Sequence, residues 1–262
     1  MDLKLKGKVA LVAAASKGLG KASARALAAE GARVAIFARS GAVDAAAEEI
    51  RAATGAEVLA LRGDAGVQED VDRIVAETIA RFGRIDILVI NAGGPPPGNF
   101  LDFGPADWQA AVDLTLMSAV RLLYAVLPGM RERKEGSVVA IESVSVKQPI
   151  DRLVLSNSIR MAVIGLLKSL ANELGKDGIR VNSINPTYTT TDRVAQLLGA
   201  RARETGTDVA AETAKMAAAI PLGRLGAPEE FGAAVAWLAS PAASFIHGHA
   251  LMFDGGAVKA AL

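Results

Sequence analysis

The stretch KVALVAAASKGLG, residues 8–20, decides the fold. Residues 8–13 are a short apolar run, the pattern of a strand buried on both faces. Residues 14–17 make a turn, and a helix is expected from about Gly18 to Glu30. Gly18 and Gly20 therefore stand where a strand gives way to a helix. At such a place the unpaired helix N–H groups and the positive end of the helix dipole face outward, and small residues let an anion approach the backbone. A pyrophosphate is received in this way, although an ordinary tight turn needs the same residues.

The flanking sequence repeats the alternation. Strands are expected at 33–38, 57–61, 85–90, 137–141, 179–184 and 249–253. Helices are expected at 43–53, 67–82, 105–133, 153–174 and 228–239, with Gly31, Gly55, Gly83 and Gly175 as stops. Three consecutive prolines at 95–97 exclude helix or central strand from the loop after the fourth strand. Residues 187–220 are more polar and read as a lid carrying one or two helices. Seven strands alternating with helices imply a Rossmann-type doubly wound α/β domain. Its sheet is mostly parallel, helices cover both faces, and one domain spans residues 1–262.

Composition removes several function classes. With 29 basic and 28 acidic residues, the chain has no global field for nucleic acid or an anionic membrane. No stretch of about 18 uncharged apolar residues offers a membrane span. The absence of cysteine removes thiol nucleophiles, disulfides and thiolate metal sites. Residues 1–8 are charged and lack an apolar signal core, so a cytoplasmic protein is expected. The two histidines, His247 and His249, suit neither a zinc site nor a triad and read as structural. The carboxylates show no metal spacing, so no metal is expected.

The end of the second strand carries a further signal. Enzymes that use NAD place an acid there for the ribose 2′-OH. Here Arg39 follows Ala38, and Lys17 lies in the glycine-rich turn. Two cations and no acid suit the extra phosphate of NADP(H); the competing account is two solvated surface charges. Asp64 suits an adenine amino group, and residues 91–93 (NAG) suit the ribose edge.

Taken together, AAASKGLG (13–20), GDA (63–65), NAG (91–93), Ser143, KSLANEL (168–174), IRVNSINP (179–186) with Thr191, and FDGG (253–256) resemble the short-chain dehydrogenase/reductase family. The β-ketoacyl carrier-protein reductases are most similar, and the resemblance covers nearly the whole chain. It implies NADP(H)-dependent chemistry on a carbonyl or related C=N bond, with a small-molecule or acyl-thioester substrate. It also implies a homotetramer. Carried over by position, the cofactor would meet Ala14, Ser16, Lys17, Gly18, Leu19, Gly20, Arg39, Asp64, Ala65, Asn91, Ala92, Gly93, Arg160, Pro186, Tyr188 and Thr191.

The departures from the family pattern matter as much. Ala13 and Ala14 replace the Thr and first Gly of its T-G-x-x-x-G-x-G loop. Of its catalytic Asn, Ser, Tyr and Lys, only the serine is kept, as Ser143. The other positions fall on Thr115, Ser156 and Arg160. A serine cannot match a phenol in reach or acidity, and an arginine does not release its proton near neutral pH. Losing a general acid costs roughly 10²–10⁴ in rate.

Three readings follow. Another acid substitutes, with Lys147, Asp151 and Tyr188 as candidates. Alternatively the substrate needs none, as with a protonated imine that accepts hydride directly. Or the protein binds NADP(H) without turnover, as a sensor or scaffold. Each candidate has a plain structural alternative: a strand-end cap for Ser143, a helix cap for Ser156, a surface or ion-pair role for Arg160, and an apolar wall for Tyr188. In the lid, Gln196, Arg201, Arg203 and Lys215 read more simply as solvated helix faces than as contacts to an acidic carrier.

Overall fold

The computed structural model describes residues 2–260. Seven strands form one sheet: β1 (Val9–Ala13), β2 (Arg33–Ala38), β3 (Val58–Arg62), β4 (Ile87–Ile90), β5 (Gly136–Ile141), β6 (Ile179–Pro186) and β7 (Ala250–Phe253). Their order is β3-β2-β1-β4-β5-β6-β7 and every pairing is parallel. The order reverses between β1 and β4, and in doubly wound sheets ligands bind at the carboxyl ends of the strands beside such a reversal. The glycine-rich turn leaves β1 and the NAG segment leaves β4 at this point.

The central strands are buried on both faces because helices cover both. On one side α1 (Gly18–Ala29), α2 (Ala42–Thr54) and α9 (Pro228–Ala239) pack a core around Leu27, Ile36, Ile50, Phe231 and Val235. On the other, α3 (Gln68–Phe82), α5 (Ser118–Arg133) and α6 (Val154–Leu174) pack Ile74, Leu88, Leu122, Met130 and Leu167. The helical stretches Pro105–Arg133 and Val154–Asp177 are long and apolar enough, by length and composition, to cross a membrane. In the fold 39% of the most apolar part of each is buried, with Ala119, Leu123, Val163 and Ala171 set against the sheet.

The single long helix expected at 105–133 is interrupted. It begins as α4 (Pro105–Ala111), widens into a π-turn at Val112–Met117, and resumes as α5. An inserted π-turn shifts the backbone register within a helix and often marks a functional site; this one carries Thr115. The lid holds two helices, α7 (Asp192–Thr205) and α8 (Val209–Ala218). They have their own small core of Leu198, Met216 and Leu225.

The start of α9 carries a pH-sensitive cap. Glu230 accepts a hydrogen bond from the Ala227 N–H at 2.9 Å and pairs with Arg224 at 2.6 and 2.8 Å. These contacts draw its carboxyl from 4.5 down to about 2, Arg224 being the main cause. A depressed folded pKa contributes stability above the unfolded value and loses it as pH falls through the folded one. Acid titration followed by circular dichroism should therefore show loss of stability between pH 4.5 and about 2. The Glu230→Gln variant should be less stable at neutral pH and flatter across that window.

Candidate active site

The glycine-rich turn is held from two sides. The Asn91 side-chain amide donates to the Ala14 carbonyl at 3.3 Å, tying the end of β4 to the end of β1. Gly20 lies against this bridge. A Cβ there would stand 2.5 Å from the Ala14 oxygen and 2.8 Å from Asn91 Nδ2. Ala14 itself adopts φ +49°, a left-handed conformation that glycine enters freely. The alanine in the family's glycine place thus acts through backbone strain, not only by crowding the turn. Ser16, Lys17 and Leu19 complete the turn, with Lys17 exposed and the Leu19 carbonyl accepting from Ser23 Oγ at 2.7 Å. The root of the lid closes on it, since Thr191 Cγ2 lies 3.8 Å from where a Gly18 Cβ would be.

At the adenosine end, Arg39 projects from β2 with 74% of its side chain exposed. Its only carboxylate neighbour among the described residues is Asp64, at 3.9 Å. Asp64 is fixed in its turn, its Oδ1 accepting from the Gly66 N–H and its own N–H donating to Asp70, both at 2.8 Å. The contact with Arg39 is long and leaves the guanidinium able to turn to a phosphate. Ala65 packs on the core beneath, Ala92 is half-buried, and Gly93 faces open space, with nothing within 4 Å of a would-be Cβ. Pro186 ends β6, paired with Phe253. The turn, the open NAG edge and the free guanidinium together fit a dinucleotide with a phosphorylated ribose.

The four family catalytic positions are placed unequally. Ser143 lies two residues after β5 and caps the 3₁₀ turn Val144–Val146, its Oγ accepting from the Ser145 N–H at 3.1 Å. Thr115 is buried in the π-turn with its hydroxyl unpartnered among the described residues. Ser156 and Arg160 lie one turn apart on α6 and are joined, Arg160 Nε donating to Ser156 Oγ at 3.2 Å. Arg160 Nη1 donates to Glu142 Oε2 at 2.9 Å and to the Ile141 carbonyl at 3.4 Å. Of the two roles weighed for Arg160, ribose ligand and ion-pair partner, the structure shows the ion pair. Most of its guanidinium is committed to a buried ion pair, and Nη2 is the nitrogen left for a ligand. Burial pushes the Glu142 carboxyl above its ordinary value, and Arg160 offsets this only in part.

The substitute acids fare poorly. Lys147 and Asp151 are exposed and make no side-chain hydrogen bond among the described residues. Tyr188 packs against Leu198, Met216 and Leu225 in the lid core, the apolar-wall role. Gln196, Arg201, Arg203 and Lys215 lie on exposed helix faces. His247 is structural, bridging the Val181 N–H at 3.2 Å and the Ala171 carbonyl at 2.7 Å. His249 donates its backbone N–H to Asn182.

Two residues escape a reading of the sequence by itself. Glu142 is an acid directly before Ser143 at the end of a wholly buried strand, a signal that gains meaning beside an arginine in the usual lysine place. Arg193 lies two residues after Thr191, and its guanidinium leans on the backbone of Gly94, 2.7 Å from where a Cβ would be. Arg193 is exposed to solvent on the lid, and partial desolvation of its guanidinium, then the charge of Arg160, draws its pKa below the ordinary arginine value.

A family model described as enoyl-(acyl carrier protein) reductase matches residues 13–258. A 3-oxoacyl-[acyl-carrier-protein] reductase of Synechocystis sp. is 35% identical, covering 97% of this chain and 98% of that protein. Oxidoreductase UcpA of Salmonella typhimurium is 36% identical over 97% and 95%. The structure of L-sorbose reductase from Gluconobacter frateurii complexed with NADPH and L-sorbose superposes with a TM-score of 0.95. It is 33% identical and covers 99% of this chain and 100% of that one. The chain belongs to the short-chain dehydrogenase/reductase family.

Proposed function

We propose that this chain is an NADP(H)-dependent oxidoreductase acting on a carbonyl, 3-oxoacyl-like or a small ketone, or on a C=N bond, through an atypical catalytic group. One observation carries the reading: a glycine-lined turn at the sheet reversal, with Arg39 exposed, and held only by a long contact to Asp64, where an acid would select NAD. Residues 14–20 would hold the pyrophosphate, Arg39 and Lys17 the 2′-phosphate, and Asp64 with Ala65 the adenine. Asn91 to Gly93 and Arg160 Nη2 would meet the ribose, and Pro186, Tyr188 and Thr191 the nicotinamide side. When bound, NADPH supplies a hydride.

The chain's own residues hold and polarise the substrate. Ser143 and Ser156 offer hydroxyls to its heteroatom. Because Ser156 Oγ accepts from Arg160 Nε, its own O–H is free to donate outward. Arg160 contributes charge and hydrogen-bond donors only. Such a group polarises better than it protonates, which favours substrates that accept hydride without a strong acid, a protonated imine above all. The rival is an NADP(H)-binding sensor or scaffold, favoured by the loss of the family residue at three of four catalytic positions. Turnover of ketones or imines separates the two. Assembly into a homotetramer belongs to the same reading, and the exposed Tyr124 of α5 and Phe245 support self-association.

The test is a titration with NADPH and NADH, beside the Arg39→Ala variant. NADPH should bind more tightly than NADH, and the variant should lose roughly tenfold or more in NADPH affinity with NADH little changed. Equal losses for both cofactors would overturn the assignment of Arg39, and no binding of either would overturn the oxidoreductase reading.

A further inference from the structure

We infer that Arg193 is a substrate-recognition residue, and that the substrate carries a carboxylate which this guanidinium receives over Gly94. The inference rests on the cofactor reading above and adds a substrate class to it. Arg193 lies in the first turn of α7, where its Nη2 and Nη1 stand 2.7 and 2.8 Å from a would-be Cβ of Gly94. Any side chain at Gly94 would displace it. Among the described residues it makes no ion pair and no side-chain hydrogen bond.

The charge balance of the cleft is uneven. Arg160 has its counter-ion in Glu142, at 2.9 Å. Arg193 is close enough to feel the Arg160 charge and has no acid within ion-pair distance among the described residues. One positive charge thus remains unmatched beside the catalytic positions. A carboxylate supplies a single negative charge and fits the planar fork of a guanidinium with two parallel hydrogen bonds. A phosphate would bring about −1.5 to −2 and overfill the site.

Position separates this anion from the pyrophosphate. Thr191, at the lid root, touches the glycine-rich turn at Gly18. Arg193 has passed that turn and lies over the loop after β4, beyond the NAG edge.

The experiment measures binding of pyruvate, acetoacetate and levulinate, each beside its methyl ester, to the NADPH-loaded protein by calorimetry. At least one acid should bind roughly tenfold or more tightly than its ester. Arg193→Ala should erase that difference, and Arg193→Lys should keep part of it, with NADPH affinity unchanged in both. Esters binding as well as every acid would overturn the inference while the cofactor reading stands. A roughly tenfold loss of NADPH affinity in Arg193→Ala would assign the anion to the cofactor and overturn it equally. Failure of the unaltered chain to bind NADPH would overturn the cofactor reading, and with it this one.

Discussion

Arg160→Met should lower stability by about 3–5 kcal/mol, because removing one member of a buried ion pair leaves the other charge without a partner. For a chain of this size, that corresponds to a fall in melting temperature of roughly 6–20 °C. Arg160 and Glu142 side chains are 9% and 3% exposed, so water cannot replace the lost contact. Glu142 would respond by holding its proton to higher pH. Its pKa is already raised by burial, and loss of Arg160 removes the one opposing influence. A raised folded pKa contributes stability below the unfolded value and loses it as pH rises through the folded value. The variant's deficit should therefore grow as pH rises above the ordinary carboxylate range. The double variant Glu142→Gln/Arg160→Met should recover much of the stability, since neither charge then remains buried. It should not recover activity, because Ser156 has lost the donor that orients its hydroxyl. Thermal melts at three pH values test the pair. A deficit that does not change with pH would contradict the account of Glu142.

Gly20→Ala should weaken NADPH binding by roughly tenfold or more and cost about 1–3 kcal/mol of stability. Its new Cβ would stand 2.5 Å from the Ala14 oxygen and 3.1 Å from the Ala14 carbonyl carbon. These are backbone atoms of the turn proposed to hold the pyrophosphate, so relief requires moving the site itself. The same Cβ would meet Asn91 Nδ2 at 2.8 Å, pressing on the bridge from β4. Gly165→Ala is the control. It lies inside α6 with nothing within 4 Å of a would-be Cβ, and removing glycine's freedom there should stabilise by about 0.4–1 kcal/mol. Calorimetric NADPH titration and thermal melts on both variants separate damage to the site from damage to the fold. Unchanged NADPH affinity in Gly20→Ala would remove the turn from the cofactor site.

Much of the fold is legible in the chain because its causes are local. Apolar runs of strand length, amphipathic stretches of helix length and glycine stops act within a few residues, and they mark all seven strands and the helices between them. Strand ends differ by a few residues, as at β4, which begins at Ile87 where 85 was expected. The cofactor end is legible for the same reason. A strand–turn–helix with Gly18 and Gly20, and a cation after the second strand, is a short-range pattern whose geometry follows from secondary structure. A mostly parallel sheet also follows once the alternation is recognised, whereas the all-parallel pairing and the bridge from Asn91 to Ala14 appear only in the structure.

The catalytic end is different. Whether Arg160 meets a ribose or an ion-pair partner stays open in the sequence until the segment after β5 brings Glu142 to it across 18 residues of sequence. Arg193 carries no signal in the sequence, and only the folded lid sets its guanidinium over Gly94. Thr115 reads as part of a plain helix until the π-turn inserts there. Glycine turns and apolar periodicity are written into consecutive residues, so the sequence by itself determined the family and the sheet and marked candidate residues for the cofactor side. Which charge neutralises which, and which remains unmatched, was decided only by tertiary structure, because ion pairing depends on distance and burial between elements that the chain order does not place side by side.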